Sequence, residues 1–288
     1  MDTTPPARRH TLRRAVGACL AAALAACLAL VAFASAQGGS GAEQSITITA
    51  RAGAATVSGA DGLRPGPVQL TLRAAGTQDQ NAFLIRLKPG VTEESVLRYV
   101  RRHPDSVPVN LASIETFTSL SPGGTFRTAI NLVPGRYLAV GEGDRTVGLG
   151  TYATFDVGGA PTGGSLPRAD SVIQMYDYGF RIPKKIDGDG ALRVDNIGRN
   201  EHFIVGIRLN PGVNPAVVRR QLIAGVDFQG PPPGEFVSII GVVSPGTVNV
   251  IQADLEPGVY MLACFYGDRA SAGHEHTEFG MVRQMTVR

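Results

Sequence analysis

Short segments in which apolar and polar residues alternate recur from residue 45 to the end of the chain. This period of two is typical of β-strands that bury one face. Turn-forming clusters such as Asp187-Gly188-Asp189-Gly190 separate the segments. The pattern predicts a mostly β chain, whose clearest strands are Ser45–Thr49, Gln69–Leu72, Phe83–Leu87, Val172–Met175, Phe203–Leu209 and Val248–Ala253.

Two short helices are predicted among these strands. Thr92 is a suitable N-cap for a helix over Glu93–Arg101, whose two leading glutamates suit the positive end of the helix dipole. Asn214 is a suitable N-cap for a second helix that begins at Pro215 and runs to about Ile223. Many short strands with few helices favour an all-β sandwich.

Three motifs occur twice in the same order, which indicates an internal repeat. The second copy of each motif lies 122 or 123 residues after the first. The pairs are Arg86–Val91 with Arg208–Val213, Ser121–Gly123 with Ser244–Gly246, and Leu132–Tyr137 with Leu255–Tyr260. Ordered matches at a nearly constant offset predict two copies of one domain. The first copy spans residues 42–157, a linker rich in glycine spans 158–165, and the second copy spans 166–288.

The first 36 residues have the features of a secretory signal peptide. Four arginines lie within residues 1–14, an apolar run spans 15–34, and Ala34-Ser35-Ala36 supplies the small residues of a cleavage site. We expect cleavage after Ala36 and export to the periplasm or the outside of the cell. The apolar run is also long enough for an uncleaved membrane anchor, which is the alternative. Arg13-Arg14 leaves both general and twin-arginine export open.

The charge balance argues against several partners. The whole chain has 27 lysines and arginines against 24 acidic residues, a net charge of +3. Four of the arginines and one aspartate belong to the leader, so 23 residues of each sign remain after cleavage. A neutral protein without a basic patch is not typical of nucleic-acid binding. We therefore expect no nucleic-acid partner, and membrane attachment only through an uncleaved leader.

Cysteine and histidine usage points to the second copy. Cleavage removes two of the three cysteines and leaves Cys264, which then has no partner for an internal disulfide. A lone exported thiol is buried, binds a metal or is a liability. Three of the five histidines, His202, His274 and His276, lie in the same copy.

The positions of these residues suggest a metal site. Cys264 ends a predicted strand, His202 enters another, and Met281 precedes the last strand after a loop that contains His276. One thiolate, two imidazoles and one thioether are soft donors that suit copper. Zinc is an alternative, because it also binds cysteine and histidine.

These motifs resemble those of the cupredoxins, the blue-copper β-sandwich proteins. The motifs are Asn196-x-Gly-x-x-x-His202, Leu255-x-Pro-Gly-x-Tyr260-x-x-x-Cys264, His276-x-x-x-x-Met281 and the stretch Asp177-Tyr178-Gly179-Phe180. The resemblance covers nearly all of the second copy, and its framework extends over the first. It implies two tandem cupredoxin-like Greek-key β-sandwiches, each with one short helix insertion, and one copper ion near one end of the second. In the implied site, His202, His276 and Cys264 are equatorial ligands and Met281 is the distant axial ligand.

The sequence departs from the family pattern in the loop before His276. Eleven residues separate Cys264 from His276, which is longer than in small electron carriers of this family. His274 is an alternative ligand that shortens the gap but spoils the spacing to Met281. In the first copy the positions equivalent to His202, Cys264 and Met281 hold Gln80, Gly141 and Thr151, which offer no matching donor set.

Two functions of different classes follow. The first is an exported type 1 copper protein that carries electrons to or from a redox partner protein, or holds copper. The alternative is a metal-free, cupredoxin-like extracellular binding or structural module. No G-x-S-x-G turn, P-loop or H-E-x-x-H helix is present, which favours a carrier or binding protein over an enzyme. If Cys264 is a ligand, we expect its thiol to be reactive without metal and shielded with it.

Overall fold

A computed structural model describes residues 44–52, 54–103, 107–143, 152–226, 228, 230–268 and 270–288. The predicted signal peptide with its cleavage after Ala36 lies outside these residues, as does Thr151. Within the described part of the chain, no helix is both long and apolar enough to span a membrane. Below, the first half denotes the described residues before 158, and the second half denotes those after 165.

The chain is predominantly β-strand, as the alternating pattern predicts. In the first half the strands are β1 (Gln44–Arg51), β2 (Ala54–Ser58), β3 (Gly66–Ala74), β4 (Gln80–Leu87), β5 (Ala112–Leu120), β6 (Thr125–Leu132), β7 (Gly135–Gly143) and β8 (Ala153–Val157). In the second half they are β9 (Ser171–Tyr176), β10 (Gly179–Arg181), β11 (Lys185–Ile186), β12 (Ala191–Asn196), β13 (His202–Leu209), β14 (Gly234–Val243), β15 (Val248–Gln252), β16 (Gly258–Ala263) and β17 (Val282–Val287).

The two predicted helices are confirmed. Helix α1 spans Glu93–Arg102, and the Thr92 hydroxyl accepts a hydrogen bond from the Ser95 backbone N–H at 3.3 Å. Helix α2 spans Pro215–Ile223, and the Asn214 side chain accepts from the backbone N–H two residues later at 2.9 Å. These caps satisfy backbone donors that have no partner within the helix.

The strands form three sheets. The largest has eight strands in the order β10-β9-β12-β15-β6-β3-β1-β2 and takes four strands from each half. The first half adds a four-stranded sheet, β5-β4-β7-β8, and the second adds a five-stranded sheet, β11-β17-β16-β13-β14. Each half therefore has its own smaller sheet and one part of the shared sheet.

Each half buries a core between its smaller sheet and its part of the large sheet. In the first half Ile48 of β1 and Leu84 of β4 belong to one fully buried cluster. In the second half Ile173 of β9 and Leu262 of β16 belong to another. Burial of alternate residues from two facing sheets is the arrangement of a β-sandwich. The helices cover the outer faces of the smaller sheets, where separate apolar clusters lie.

Residues of the repeated motifs have the same structural roles in both halves. Arg86 pairs with Tyr137 between β4 and β7, and Arg208 pairs with Tyr260 between β13 and β16. Each tyrosine is buried and donates its hydroxyl proton to the backbone carbonyl four residues earlier, at 2.9 Å for Tyr137 and 2.8 Å for Tyr260. These motif residues therefore make equivalent contacts in the two halves.

The two halves share one sheet, which a tandem repeat joined by a linker does not predict. Strands β6 and β15 pair antiparallel, and Thr128 pairs directly with Ile251. These two residues are separated by the repeat offset of 123 positions, so equivalent strands pair with each other about a local two-fold axis. The two halves therefore meet along a continuous sheet as well as through residues 158–165.

Buried hydrogen bonds reinforce this junction. The Asn249 side chain donates to the Glu115 backbone carbonyl at 3.0 Å and accepts from the Thr128 hydroxyl at 3.2 Å. The Ser244 hydroxyl accepts from the Ile114 N–H at 2.9 Å, and the Ser244 N–H donates to the Ile114 carbonyl at 2.9 Å. Since buried polar groups are costly to leave unpaired, these bonds fix how the halves meet.

We expect Asn249→Ala to destabilise the protein by about 1–3 kcal/mol, because it leaves the buried Glu115 carbonyl without its donor. Chemical denaturation measures the free energy of unfolding. Asn131→Ala is the matched control on β6, since this asparagine is exposed and its loss should change stability by less than about 0.5 kcal/mol. Equal effects of the two substitutions would show that the Asn249 contact does not hold the junction.

Candidate metal centre

Three of the four predicted ligands meet at one point of the second half. The Nδ1 atoms of His202 and His276 lie 3.0 Å apart. The Sγ atom of Cys264 lies 4.0 Å from the first and 3.6 Å from the second. All three side chains are fully buried. In the described part of the chain, no other group of His, Cys, Asp or Glu side chains converges closely enough to hold a metal.

The spacing of these atoms fits a metal ion. A point equidistant from the three donor atoms lies about 2.1 Å from each, which is the circumradius of a triangle with these sides. Bonds from a protein-bound metal to histidine nitrogen and cysteine sulfur are about 2.0–2.3 Å long. The three donor atoms are therefore close enough together to hold one ion.

Strand pairing brings two of the donors together. His202 is the first residue of β13, and Cys264 directly follows β16. The two strands run antiparallel with Val205 opposite Ala263, so the start of one lies beside the end of the other. His276 begins a 3-10 helix, His276–Phe279, and its backbone N–H donates to the Tyr266 carbonyl at 2.8 Å. This bond folds the loop back over Cys264.

The residues before His202 form a tight support. Asn196 donates from its side chain to the carbonyls of Asn200 at 2.9 Å and Val243 at 3.0 Å. A side chain at Gly198 would place its Cβ 3.0 Å from His202 Nε2 and closer still to Asp177. Both motif residues before His202 thus have a local structural role. Asn196 holds the loop through its side-chain hydrogen bonds, and Gly198 leaves room for the His202 imidazole.

A carboxylate lies behind each imidazole. Asp268 Oδ2 is 3.3 Å from His276 Nε2, and Asp177 Oδ1 is 3.6 Å from His202 Nε2. Burial pushes the pKa of Asp177 up, but hydrogen bonds from Arg199 and from the Asn200 backbone outweigh it and leave that pKa below its ordinary value. Carboxylates in this position orient metal-binding histidines and raise their basicity.

Burial disfavours the charged form of both imidazoles. Burial, reinforced by the neighbouring His276, lowers the pKa of His202 to about 4. Burial also lowers the pKa of His276, against the opposing effect of Asp268. A neutral imidazole has one lone pair for a metal, so the histidines need no deprotonation before they bind one.

The contacts also define where the imidazole protons lie. Asp268 accepts from His276 Nε2, which leaves His276 Nδ1 as an acceptor for the proton on His202 Nδ1. Among the described residues, the buried His202 Nε2 then has no hydrogen-bond partner. Binding of a metal at His202 Nδ1 would move the proton to Nε2, where it faces Asp177. The unpaired nitrogen is therefore consistent with a site built around an ion.

Cys264 is more shielded than the sequence suggested. Burial raises the pKa of its thiol to about 12, although backbone N–H groups of Phe203 and Tyr266 favour the thiolate. Burial disfavours the reactive thiolate form of Cys264, and the reactivity expected of the metal-free protein stays a prediction. A metal bound there must displace the thiol proton.

The structure separates the two candidate histidines of the loop. His276 joins the buried cluster, whereas His274 is partly exposed and its Nδ1 lies 3.0 Å from Glu278 Oε2. Met281 is fully buried in the same apolar cluster as Cys264, and its backbone carbonyl accepts from the Cys264 N–H at 3.3 Å. The predicted axial residue is therefore a direct backbone neighbour of the predicted thiolate.

The equivalent place in the first half is closed. A Cβ atom added to Gly141, the counterpart of Cys264, would lie 2.3 Å from the Ala54 carbonyl oxygen of β2. Gln80, the counterpart of His202, is buried and donates from its side chain to the Asp79 carbonyl at 2.9 Å. Backbone and amide groups fill the space that donors occupy in the second half.

Several residues of the centre are not evident from ligand motifs. Asp268 and Ser271 lie in the loop between Cys264 and His276. The spacing of the motifs indicates only that this loop is long. Tyr178 lies edge-on to the His276 ring, with centroids 5.1 Å apart, and stacks on Phe279 at 4.7 Å. Tyr178 therefore contacts both His276 and the half-exposed Phe279. Of these residues, only Tyr178 belongs to a stretch, Asp177–Phe180, in which the sequence resembles the cupredoxins.

Comparisons with known proteins find structural likenesses at low scores. No family model matches the sequence, and no curated protein matches it. A reduced auracyanin from Roseiflexus castenholzii is similar to 41% of this chain over 94% of its own length, with 23% identity and a TM-score of 0.25. A copper-containing nitrite reductase from Thermus scotoductus is similar to 86% of this chain over 62% of its own length, with 14% identity and a TM-score of 0.23. A multicopper oxidase is similar to 85% of this chain over 88% of its own length, with 14% identity and a TM-score of 0.22. TM-scores this low support no conclusion about the chain, so the interpretation of the centre rests on its own geometry.

Proposed function

We propose that this protein binds one copper ion in its second half through His202, Cys264 and His276. The observation that carries the proposal is the convergence of these three buried donor atoms within 4.0 Å of one another. We propose further that it is a type 1 copper protein of the cupredoxin class that transfers electrons or holds copper. The donor set of two imidazoles and one thiolate supports this class.

The donor set favours copper over zinc. Structural zinc sites use four ligands from cysteine, histidine and carboxylate groups, whereas catalytic zinc sites use three ligands and a water, so the thioether of Met281 is what favours copper. Only three such side chains converge among the described residues. The fourth neighbour in our proposal is Met281, whose thioether is a soft ligand that copper accepts as a weak axial donor.

The chain supports such an ion by fixing its surroundings. A copper ion supplies one-electron redox chemistry when it is bound. The strand pairing of β13 with β16 fixes His202 and Cys264, and the 3-10 helix fixes His276. The full burial of the three donor residues limits the access of water. Rigid, dry surroundings let one geometry serve both oxidation states.

The wider assignment is part of the same proposal. We expect an exported protein with cleavage after Ala36, two cupredoxin-like Greek-key units at residues 42–157 and 166–288, and a redox partner protein. The three converging donors and the repeated contacts support the two units, and the N-terminal sequence supports export. A metal-free binding module is the competing function, since the first half keeps the same framework without the donors.

We expect the oxidised wild-type protein to bind one copper ion per chain and to absorb strongly in the visible range, because thiolate-to-copper charge transfer is intense. Cys264→Ser should abolish the band, because a hydroxyl is a hard, weakly acidic donor. Metal analysis and visible absorption measure both effects. A wild-type protein that contains no copper after reconstitution in its reduced form would favour the metal-free module.

The two loop histidines provide a matched pair. We expect His276→Ala to weaken copper binding by at least the 10–100-fold that loss of an outer-shell partner causes, because it removes a direct ligand. His274→Ala should leave the affinity nearly unchanged, since that side chain contacts Glu278 at the surface. Competition titration against a chelator measures both affinities. A large loss of copper affinity in His274→Ala with little change in His276→Ala would show that His274 is the ligand.

Met281→Leu should keep copper bound but raise its reduction potential. The substitution removes an axial donor that stabilises Cu(II) more than Cu(I), and the axial ligand tunes the potential of such sites. The similar volumes of the two side chains limit the loss of stability to less than about 1.5 kcal/mol. Voltammetry of the loaded protein measures the shift. An unchanged potential with unchanged affinity would show that Met281 is only a core residue.

A further inference from the structure

The loop between Cys264 and His276 is longer than the family pattern leads us to expect, and its extra residues form a closed turn. The Ser271 N–H donates to Asp268 Oδ1 at 2.7 Å, and the Ser271 hydroxyl donates to the His274 carbonyl at 2.6 Å. The Gly273 N–H donates to the Asp268 carbonyl at 2.8 Å. Ser271 is itself almost fully buried. The turn is therefore held by its own hydrogen bonds and by the burial of Ser271.

This turn fixes the direction of one carboxylate. Because Asp268 Oδ1 accepts from Ser271, its other oxygen, Oδ2, faces His276 Nε2 at 3.3 Å. The Asp268 side chain is only 11% exposed, so water screens this contact weakly. A bridge pairs Gly267 with Glu275 and closes the base of the loop. The additional loop residues thus place a negative group behind His276.

We propose that Asp268 is a positioning residue that fixes His276 with its proton on Nε2 and Nδ1 free for a metal, and that its charge makes the centre favour Cu(II) over Cu(I). The second part rests on the proposed copper function. Asp177 has the corresponding place behind His202, but Arg199 pairs with it and offsets its charge.

The charge effect follows from simple electrostatics. A thiolate with Cu(II) has a net charge of +1, and a thiolate with Cu(I) is neutral. A nearby carboxylate therefore attracts the oxidised centre more strongly than the reduced one. It also increases the electron density on the imidazole that binds the ion. Both effects lower the reduction potential of the centre.

The first test uses the metal-free protein. In protein labelled with ¹⁵N-histidine, NMR should show His276 with its proton on Nε2, because Asp268 accepts that proton. Asp268→Ala should convert His276 to a mixture of both tautomers, while the exposed His274 serves as an internal reference. A wild-type His276 with its proton on Nδ1 would overturn the positioning role. This result does not depend on whether copper binds.

The second test compares Asp268→Asn with Asp187→Asn in the copper-loaded protein. Asp187 is the control because it is an exposed carboxylate that pairs with Arg288. It lies near the C-terminal end of β17, whereas Met281 precedes the N-terminal end of that strand. We expect Asp268→Asn to lower the Cu(II) affinity about 10–100-fold and the Cu(I) affinity much less. Each tenfold loss of Cu(II) affinity relative to Cu(I) affinity raises the reduction potential by about 59 mV. The control should change neither affinity.

The outcomes separate the possible failures. If Asp268→Asn lowers the Cu(II) and Cu(I) affinities equally, the charge effect is overturned. Asp268 would then have only a structural role. A potential that matches the Asp187→Asn control would overturn it as well. A wild-type protein that binds no copper would instead contradict the proposed function, and the tautomer of His276 would still decide the positioning role. Thermal unfolding of each metal-free variant confirms that it is folded.

Discussion

The antiparallel pairing of β13 with β16 is the constraint on which the centre depends. It brings the start of one strand beside the end of the other, so that His202 and Cys264 lie on the same side of the sheet end. The loop that follows Cys264 folds back through the bond between His276 and Tyr266 and adds the third donor. Burial then disfavours the charged forms of both imidazoles and of the thiol. The result is a buried group of donors.

The two halves show that this framework does not require the donors. The buried tyrosines at equivalent positions, Tyr137 and Tyr260, make the same backbone hydrogen bond in each half. At the position of Cys264, however, the first half has Gly141, beside which the backbone of β2 passes. A donor there would require β2 to move. The three converging donors are therefore not required by the framework that the two halves share, and the first half has no room for a side chain at the position of Cys264.

Local signals in the sequence predicted much of this structure. Alternation predicted the strands, and Thr92 and Asn214 predicted the starts of both helices, because strand burial and capping depend on neighbouring residues. The ligand motifs predicted the meeting of His202, Cys264 and His276. The pairing of β6 with β15 could not be predicted, because it joins residues from different copies of the repeat. The role of Asp268 was also hidden, since it depends on how Ser271 closes the loop.

The central claim is that one ion binds between one sulfur and two imidazoles. X-ray absorption at the copper edge of the oxidised, singly loaded protein tests it most directly, because it reports the identity and distance of the nearest atoms. The account predicts one short sulfur neighbour from Cys264 and two nitrogen neighbours at about 2.0 Å with imidazole scattering. A first shell of oxygen and nitrogen atoms without sulfur would contradict the account, because Cys264 would then not bind the ion.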